Sequence, residues 1–205
     1  MNFDKVKSLM EVHGYRAAIA PIDKVKSMQE GLKQLLTEEL QESQISAINE
    51  AIQRLNAIPQ KWNTVMIAAV PRGGSTLVEK RKHIREIVKN AGFSIADRQN
   101  LPLKRLAVQS GLAKYGRNNI AYVSGMGSYL KLAAFVVDIP CETFTWIDSP
   151  VMAPMCENCD LCIINCPNGN ISKERFIIDH SKSKSCSTCQ DCCPMNKDGG
   201  RDLVL

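Results

Sequence analysis

Eight of the nine cysteines in this 205-residue chain lie between Cys156 and Cys193. The first four follow the pattern C-x2-C-x2-C-x3-C-P, which reads CENCDLCIINCP. Two-residue gaps let three thiolates converge on one small inorganic cluster, and the proline-ended turn directs the fourth thiolate to a second cluster. This spacing is typical of a chain that binds two [4Fe–4S] clusters.

The second cysteine motif, CSTCQDCCP, is less regular and has two interpretations. One is C-x2-C-x3-C-P, which uses Cys186, Cys189 and Cys193 and leaves Cys192 over. The other is a converging triplet that ends at Cys192, with Cys193 as the remote ligand. Two cubes need eight thiolates, which reconciles the motifs if the adjacent cysteines serve different clusters. The expected sets are Cys156, Cys159, Cys162 and Cys193 for cluster 1, and Cys166, Cys186, Cys189 and Cys192 for cluster 2.

Zinc and disulfide bonds are the alternatives to clusters. CxxC pairs commonly hold tetrahedral zinc, and eight cysteines could form four bridges in a small secreted domain. The first ten residues carry charges and no apolar core, so we expect no signal peptide and no disulfide framework. Zinc sites rarely use 2-2-3 gaps that end in proline, which favours two [4Fe–4S] clusters.

The composition is that of a soluble globular protein, with 44% hydrophobic and 23% charged residues. No apolar run is long enough to span a bilayer, so we expect a cytoplasmic protein with no membrane contact. The net charge is +5, although residues 151–205 hold six Lys/Arg and seven Asp/Glu. The basic excess therefore belongs to the N-terminal part. Basic surfaces can attract nucleic acid, but solvated helix faces are the commoner explanation.

Upstream of the cysteines, patterns typical of helices and strands alternate. Apolar residues at helical spacing predict helices over 3–13, 25–36, 45–55 and 77–91, and Pro102 opens another. Short apolar runs predict strands over 15–20, 65–70, 93–96, 119–123 and 130–137. The sequence thus predicts an α/β fold: an open sheet flanked by helices over residues 1–150, with a small dicluster ferredoxin-like module over 151–205.

The stretch directly before the cysteines carries further short motifs. They are Gly111-Leu112-Ala113, Gly116-Arg117-Asn118, Gly127-Ser128 and Asp138-Ile139-Pro140. With a first helix that ends at Gly14-Tyr15 and a closing CPMN, they resemble the epoxyqueuosine reductases and the cobalamin-dependent reductive dehalogenases. The resemblance covers most of the chain in outline and is specific over residues 102–196.

This resemblance implies that the α/β domain holds cobalamin near one cluster. Two clusters would then pass electrons one at a time to cobalt, from a low-potential donor of the ferredoxin or flavodoxin type, to reduce a small-molecule or tRNA substrate. The chain is shorter than those enzymes, and PRGGSTLVEKRKH stands where they have an Arg-Asp-Tyr-His type segment. The alternative function is a non-catalytic electron carrier, or a subunit, that lacks cobalamin.

Two segments are candidates for cofactor binding. Arg72, Gly73 and Gly74 follow a strand and precede a helix, so their amides could hold a phosphate of a cofactor tail. An ordinary strand–helix turn is the alternative. Gly116, Arg117 and Asn118 could bind a corrin ring through hydrogen bonds, and the alternative is a tight turn.

Asp97 is the candidate proton donor, as the only acidic residue between the basic helix and Asp138, and Tyr115 is the next candidate. The alternatives are a surface turn residue and a tyrosine at the edge of the core. We expect the segments 72–76, 97–100 and 116–119 to bound one pocket at the carboxyl ends of the strands. Cys141 is expected to be a plain free cysteine, and the three histidines to be scattered on the surface.

Overall fold

The computed structural model describes residues 2–36, 42–58, 62–98, 101–149, 152–172 and 186–197. Six strands are present: β1 Arg16–Pro21, β2 Thr64–Pro71, β3 Ile95–Arg98, β4 Lys114–Tyr115, β5 Ala121–Tyr122 and β6 Leu130–Val137. The longer helices are α1 Phe3–Val12, α2 Ile22–Leu36, α3 Glu42–Asn56, α4 Leu77–Asn90 and α5 Leu103–Gln109. In the cysteine region a 3-10 turn, Pro154–Cys156, precedes α6 Leu161–Ile164, α7 Thr188–Asp191 and α8 Pro194–Lys197.

The main sheet has the strand order β1-β2-β6-β3, and every neighbouring pair is antiparallel. The predicted open sheet flanked by helices is confirmed. The single pocket expected at a common carboxyl edge is corrected in part: residues 72–76 follow β2 and residues 97–98 end β3, which share an edge of the sheet, but residues 116–119 lie in the separate β4–β5 pair. β2 and β3 run in one direction, and β1 and β6 run in the other.

Helices cover both faces of this sheet. One face carries Met66 and Phe135 and packs under α1 and α4, while the other carries Ile67 and Val136 and packs under α2 and α5. Burial on both faces explains why β2 is apolar at successive positions instead of alternating. Each fully buried Val or Ile contributes about 1.5–3 kcal/mol to folding.

The segment between α5 and β6 differs from the prediction. The strand expected over 119–123 is reduced to β5, which pairs with the unpredicted β4 outside the main sheet. Asn119 has a φ of 55°, a left-handed conformation that Asn tolerates and that ends an extended run. Residues 99 and 100 of the expected pocket lie outside the described residues.

The cysteine lobe, residues 152–172 and 186–197, packs on the β4–β5 pair. The backbone N–H of Ala153 donates to the carbonyl of Tyr115 at 2.8 Å. Tyr122 forms a buried cluster with Ala153, Cys156 and Met195. The short β-ribbon thus connects the lobe to the sheet. Within the described part of the chain, no helix has the length and apolarity needed to cross a membrane.

Candidate metal centre

Four cysteines from two distant segments line one small cavity. They are Cys156, Cys159, Cys162 and Cys193, which surround a volume of about 20 Å³ together with Tyr122 and Met195. Cys156 ends the 3-10 turn and Cys162 lies in α6, so short helical turns direct their thiols inward. Cys193 arrives from the other segment, immediately before α8.

These thiols crowd one another in a largely buried space. Burial, together with the charges of Cys156, Cys192 and Cys159, raises the pKa of Cys162 to about 12. Burial also raises the pKa of Cys156, against the effect of a hydrogen bond from the backbone of Arg117. Metal ligation requires thiolates, and a bound cation removes this repulsion and releases the protons.

A second group of cysteines lies next to the first. Cys166, Cys186 and Cys189 line a cavity of about 170 Å³. Burial, with the charges of Cys186 and Cys192, raises the pKa of Cys189. The sulfur of Cys192 lies 3.8 Å from the carbonyl oxygen of Cys189. Cys192 lines neither cavity, and its sulfur also lies 3.6 Å from the carbonyl oxygen of Leu161 in the first cysteine loop. The assignment of Cys192 and Cys193 to different clusters therefore stays a prediction.

Cys166 sits in a concave turn of backbone amides. Burial alone acts to raise the pKa of its thiol, but hydrogen bonds from the backbone of residues 168–171 lower it below the usual value. Amide donors of this kind stabilise a thiolate and are common around iron–sulfur clusters. Both cysteine groups therefore offer the donor chemistry that such clusters need. The described residues contain no group of three His, Cys, Asp or Glu side chains that could chelate a single metal ion.

Arg117 connects the α/β domain to the first cysteine loop. Its guanidinium, only 8% exposed, donates to the carbonyl oxygens of Cys156, Cys159 and Glu157. It also lies 3.8 Å from the carboxylate of Asp160. These partners occupy the fork of the guanidinium, so its role in this structure is to position the loop that carries three cysteines.

Asn118 makes the corresponding contact with the second loop. Its buried amide nitrogen donates to the carbonyl of Cys189 at 3.2 Å and to the hydroxyl of Tyr122 at 2.9 Å. Gly116 is required beside it, because a Cβ there would lie 2.5 Å from the Tyr122 ring. The Gly116-Arg117-Asn118 motif is therefore packed against the cysteine lobe.

Gly127 and Ser128 form a third contact with the lobe, which the sequence did not assign. A Cβ on Gly127, whose φ is 66°, would lie 2.4 Å from the side-chain oxygen of Asn196. The backbone N–H of Ser128 donates to that oxygen at 2.8 Å. The sequence signal for these residues was the resemblance of the Gly127-Ser128 and CPMN motifs to the family. That signal did not predict their contact, because Ser128 and Asn196 are 68 residues apart.

The turn at Arg72, Gly73 and Gly74 is organised by protein groups. The buried ammonium of Lys80 donates to the carbonyls of Pro71 and Gly73. At the following helix start, Thr76 and Glu79 form a reciprocal capping box. Hydrogen bonds from the Thr76 backbone and then from its side chain lower the pKa of Glu79. The carboxylate thus already stands at the anion-attracting end of α4.

Asp97 and Tyr115 lie on opposite faces of the sheet. Asp97 faces α4, where its carboxylate forms ion pairs with Arg81, at 3.1 Å, and with Arg85. Tyr115 packs among the core residues of the other face, and burial raises the pKa of its hydroxyl. The structure does not bring these two candidates together, nor does it place Asp97 beside Arg117. Both catalytic assignments stay predictions.

Two of the three histidines are less scattered than expected, while the third, His180, lies outside the described residues. The rings of His13 and His83 meet edge to face with centroids 4.5 Å apart, and the hydroxyl of Tyr15 lies 3.1 Å from Nδ1 of His83. Cys141 packs against the core beyond the end of β6, and burial raises its pKa. It is absent from the linings of both cysteine cavities.

A larger cavity, of about 540 Å³, lies away from the cysteines. It follows the outer edge of β1 between α1 and the linker at residues 143–145. None of the residues predicted for cofactor binding or catalysis lines it. Periodicity does not reveal such a groove, because it depends on how separate segments pack.

Comparison with known proteins supports the resemblance seen in the sequence. The chain is 28% identical over 134 residues to the epoxyqueuosine reductase of Bacillus subtilis, a match that covers 55% of this chain and 33% of that protein. It is 26% identical over 136 residues to the enzyme of Cyclobacterium marinum, covering 55% of this chain and 42% of that protein. The matches therefore span about a third to two fifths of these relatives. No family model matches the chain.

Solved structures share the fold. Epoxyqueuosine reductase from Streptococcus thermophilus superposes with a TM-score of 0.68 at 17% identity, over 100% of this chain and 68% of that one. An epoxyqueuosine reductase solved with a tRNA stem loop gives 0.61 at 20% identity, over 98% and 66%. A catabolic reductive dehalogenase gives 0.50 at 15% identity, over 67% and 26%. The predicted resemblance to this superfamily is confirmed.

Proposed function

We propose that this protein is an iron–sulfur redox protein that carries electrons through two [4Fe–4S] clusters. The carrying observation is that seven cysteines line two neighbouring cavities, each drawn from both cysteine motifs, with Cys192 beside them. Cluster 1 would be held by Cys156, Cys159, Cys162 and Cys193. Cluster 2 would be held by Cys166, Cys186, Cys189 and Cys192. Asn118 lines both cavities, so the two groups of cysteines are adjacent, as transfer of electrons between two clusters would require.

The chain's own residues would position and insulate the clusters. Arg117 holds the loop of cluster 1, and Asn118 holds the loop of cluster 2. Each four-thiolate cube carries net negative charge, which the guanidinium partly balances. The backbone amides around Cys166 do the same for cluster 2.

Cobalamin does not fit the residues first assigned to it. Arg117 and Asn118 are buried and hydrogen-bonded to the cysteine lobe, and Tyr122 closes the space beside Gly116. The cavities that Arg117 and Asn118 line, about 20 and 170 Å³, are too small for a corrin. At the turn that begins at Arg72, the ammonium of Lys80 is bound to the carbonyls of Pro71 and Gly73. We therefore assign no step of electron transfer to cobalamin within this chain.

A reductase of the epoxyqueuosine reductase kind is the second candidate, favoured by the sequence similarity and the shared fold. Its substrate would be a tRNA, since a related enzyme was solved with a tRNA stem loop, and the basic excess of the N-terminal part is compatible with one. The electron donor would be a low-potential ferredoxin or flavodoxin. This function would also require a cobalamin site, and residues outside the two cysteine cavities would have to form it.

Anaerobic reconstitution with iron, sulfide and cobalamin separates the candidates. We expect a stoichiometric reductive titration to deliver about two electrons per chain, one to each cube, with no corrin band retained after gel filtration. Uptake of no more than one electron would contradict the two-cluster proposal. A corrin band retained at one per chain would favour the cobalamin-dependent reductase.

A further inference from the structure

The first cysteine loop, residues 154–166, exposes large apolar side chains. Met155 is 50% exposed, Leu161 39% and Ile164 76%. None of the three belongs to the hydrophobic clusters that stabilise the sheet and the β4–β5 pair. Exposed apolar side chains that concentrate in one segment, without a role in the core, mark a surface that contacts a partner.

These side chains lie directly outside the cavity of cluster 1. Leu161 and Ile164 begin and end α6, and residues three apart in a helix lie on the same face. Cys162 between them is buried, and Leu161 itself lines the cavity beside the cysteines. Met155 precedes the buried Cys156 in the 3-10 turn. Leu161 therefore reaches from the cavity to the solvent, so cluster 1 would lie close to this surface.

The charges around this surface are negative. The first cysteine loop contains Glu157 and Asp160 and no Lys or Arg. Glu157 is exposed, and its contact with Arg117 is made by its backbone carbonyl instead of its carboxylate. The guanidinium of Arg117 is buried beside Asp160, and a four-thiolate cube would add further negative charge. A partner with Lys and Arg around its contact surface would be attracted here, and an acidic partner would be repelled.

These charges disfavour a second copy of this chain as the occupant. A two-fold dimer pairs each surface with itself. Glu157 and Asp160 would then face the same residues of the other copy, and two negatively charged clusters would approach each other. Like charges juxtaposed at an interface suppress association.

We propose that this surface docks a one-electron redox protein whose own prosthetic group reaches an apolar surface ringed by Lys and Arg. The proposal rests on the proposed two-cluster function and names the kind of partner that exchanges electrons with cluster 1. One electron leaves the reduced cluster and enters the oxidised group of the partner, or passes the opposite way, with no bond made and no proton moved. Electron-transfer complexes bury little area, so a few exposed apolar side chains and complementary charge suffice.

The test is anaerobic stopped-flow mixing of the reconstituted chain, reduced with dithionite that is then removed, with ferric cytochrome c, a basic protein with an exposed haem edge. We expect the rate of haem reduction to fall as salt is added, because salt screens the attraction. Ile164→Lys places a cation in the surface and should slow the reaction about tenfold, within the range found among variants of one interface. Val78→Lys is the matched control, since Val78 is 75% exposed but lies in α4, which packs on the other face of the sheet. It should leave the rate unchanged.

Glu157→Lys tests the charge of the surface separately and keeps the proposal testable if Ile164→Lys fails to load cluster 1. It should slow the reaction with cytochrome c and speed the reaction with plastocyanin, an acidic copper protein that accepts one electron. The iron content of both variants should equal that of the wild type.

Equal rates with cytochrome c in Ile164→Lys and Val78→Lys would overturn the proposal, as would wild-type rates with both acceptors in Glu157→Lys. Loss of iron in both lysine variants of the loop would make these residues structural and would also overturn it. So would a wild-type dimer in sedimentation that Ile164→Lys dissociates, because the occupant would then be a second copy. If the wild type holds no cluster, iron analysis before mixing shows it, and that failure of the proposed function is distinct from loaded protein whose rates ignore these substitutions.

Discussion

Arg117→Met tests whether the α/β domain holds the loop of cluster 1 in place. The substitution keeps an apolar stem of similar length but removes the donors to the carbonyls of Cys156, Glu157 and Cys159. Hydrogen bonds to a charged group contribute about 1.5–3 kcal/mol each. Part of that is recovered where water reaches the freed carbonyls, so we expect a net loss of about 3–5 kcal/mol, as for other broken buried charge contacts.

A loss of that size raises the opening equilibrium of the loop by about 10²–10⁴-fold. We therefore expect chelators to remove the iron of cluster 1 much faster from Arg117→Met than from the wild type, while cluster 2 is kept. The assay follows iron release anaerobically by the loss of visible absorption. Arg117→Lys should fall between the two, because an ammonium keeps the charge but not the planar fork.

Arg54→Met is the matched control for the loss of an arginine. Arg54 forms an exposed pair with Glu50 within one helix, and its side chain is 53% exposed. Such pairs contribute no more than about 0.5 kcal/mol. If Arg117→Met releases iron at the same rate as Arg54→Met, the positioning role of Arg117 is refuted.

Four further substitutions have defined outcomes. Cys156→Ser should remove cluster 1 and leave much of cluster 2, and Cys141→Ser should leave the iron content unchanged; loss of a whole cluster in the latter would show a wrong ligand assignment. Gly127→Ala should detach the last cysteine segment from the sheet domain, at a cost of about 1–2 kcal/mol for the left-handed backbone alone, so its melting temperature should drop clearly. Asp97→Asn should lower the free energy of unfolding by about 1 kcal/mol, through its two arginine pairs, with both cluster potentials unchanged. A large loss of turnover in Asp97→Asn, without loss of clusters, would support Asp97 as the proton donor.

The sheet and its longer helices could be predicted because their signals are local. β2 is continuously apolar, and the capping box at Thr76 and Glu79 marks the start of α4. The pairing direction of the strands had no local signal. Alternating helices and strands suggested a common carboxyl edge, whereas the strands pair antiparallel through β6, which comes last in the chain.

The ligand sets could be proposed from spacing because cluster chemistry demands a fixed number of thiolates at short gaps. The residues around them could not be assigned in the same way. Tyr122 packs against Met195 and Ser128 accepts hydrogen bonds from Gln190 and Asn196, all more than sixty residues away. No periodic pattern predicts a contact at that range. Arg117 could be singled out from its motif. Its partners could not be predicted, because they are backbone carbonyls, which every residue has.

The most direct test of the two-cluster account is the iron content of the anaerobically reconstituted protein, with the cluster type determined by Mössbauer spectroscopy. Two cubes predict about eight irons per chain, all in [4Fe–4S] form. About four irons per chain, or zinc retained in place of iron, would contradict the account.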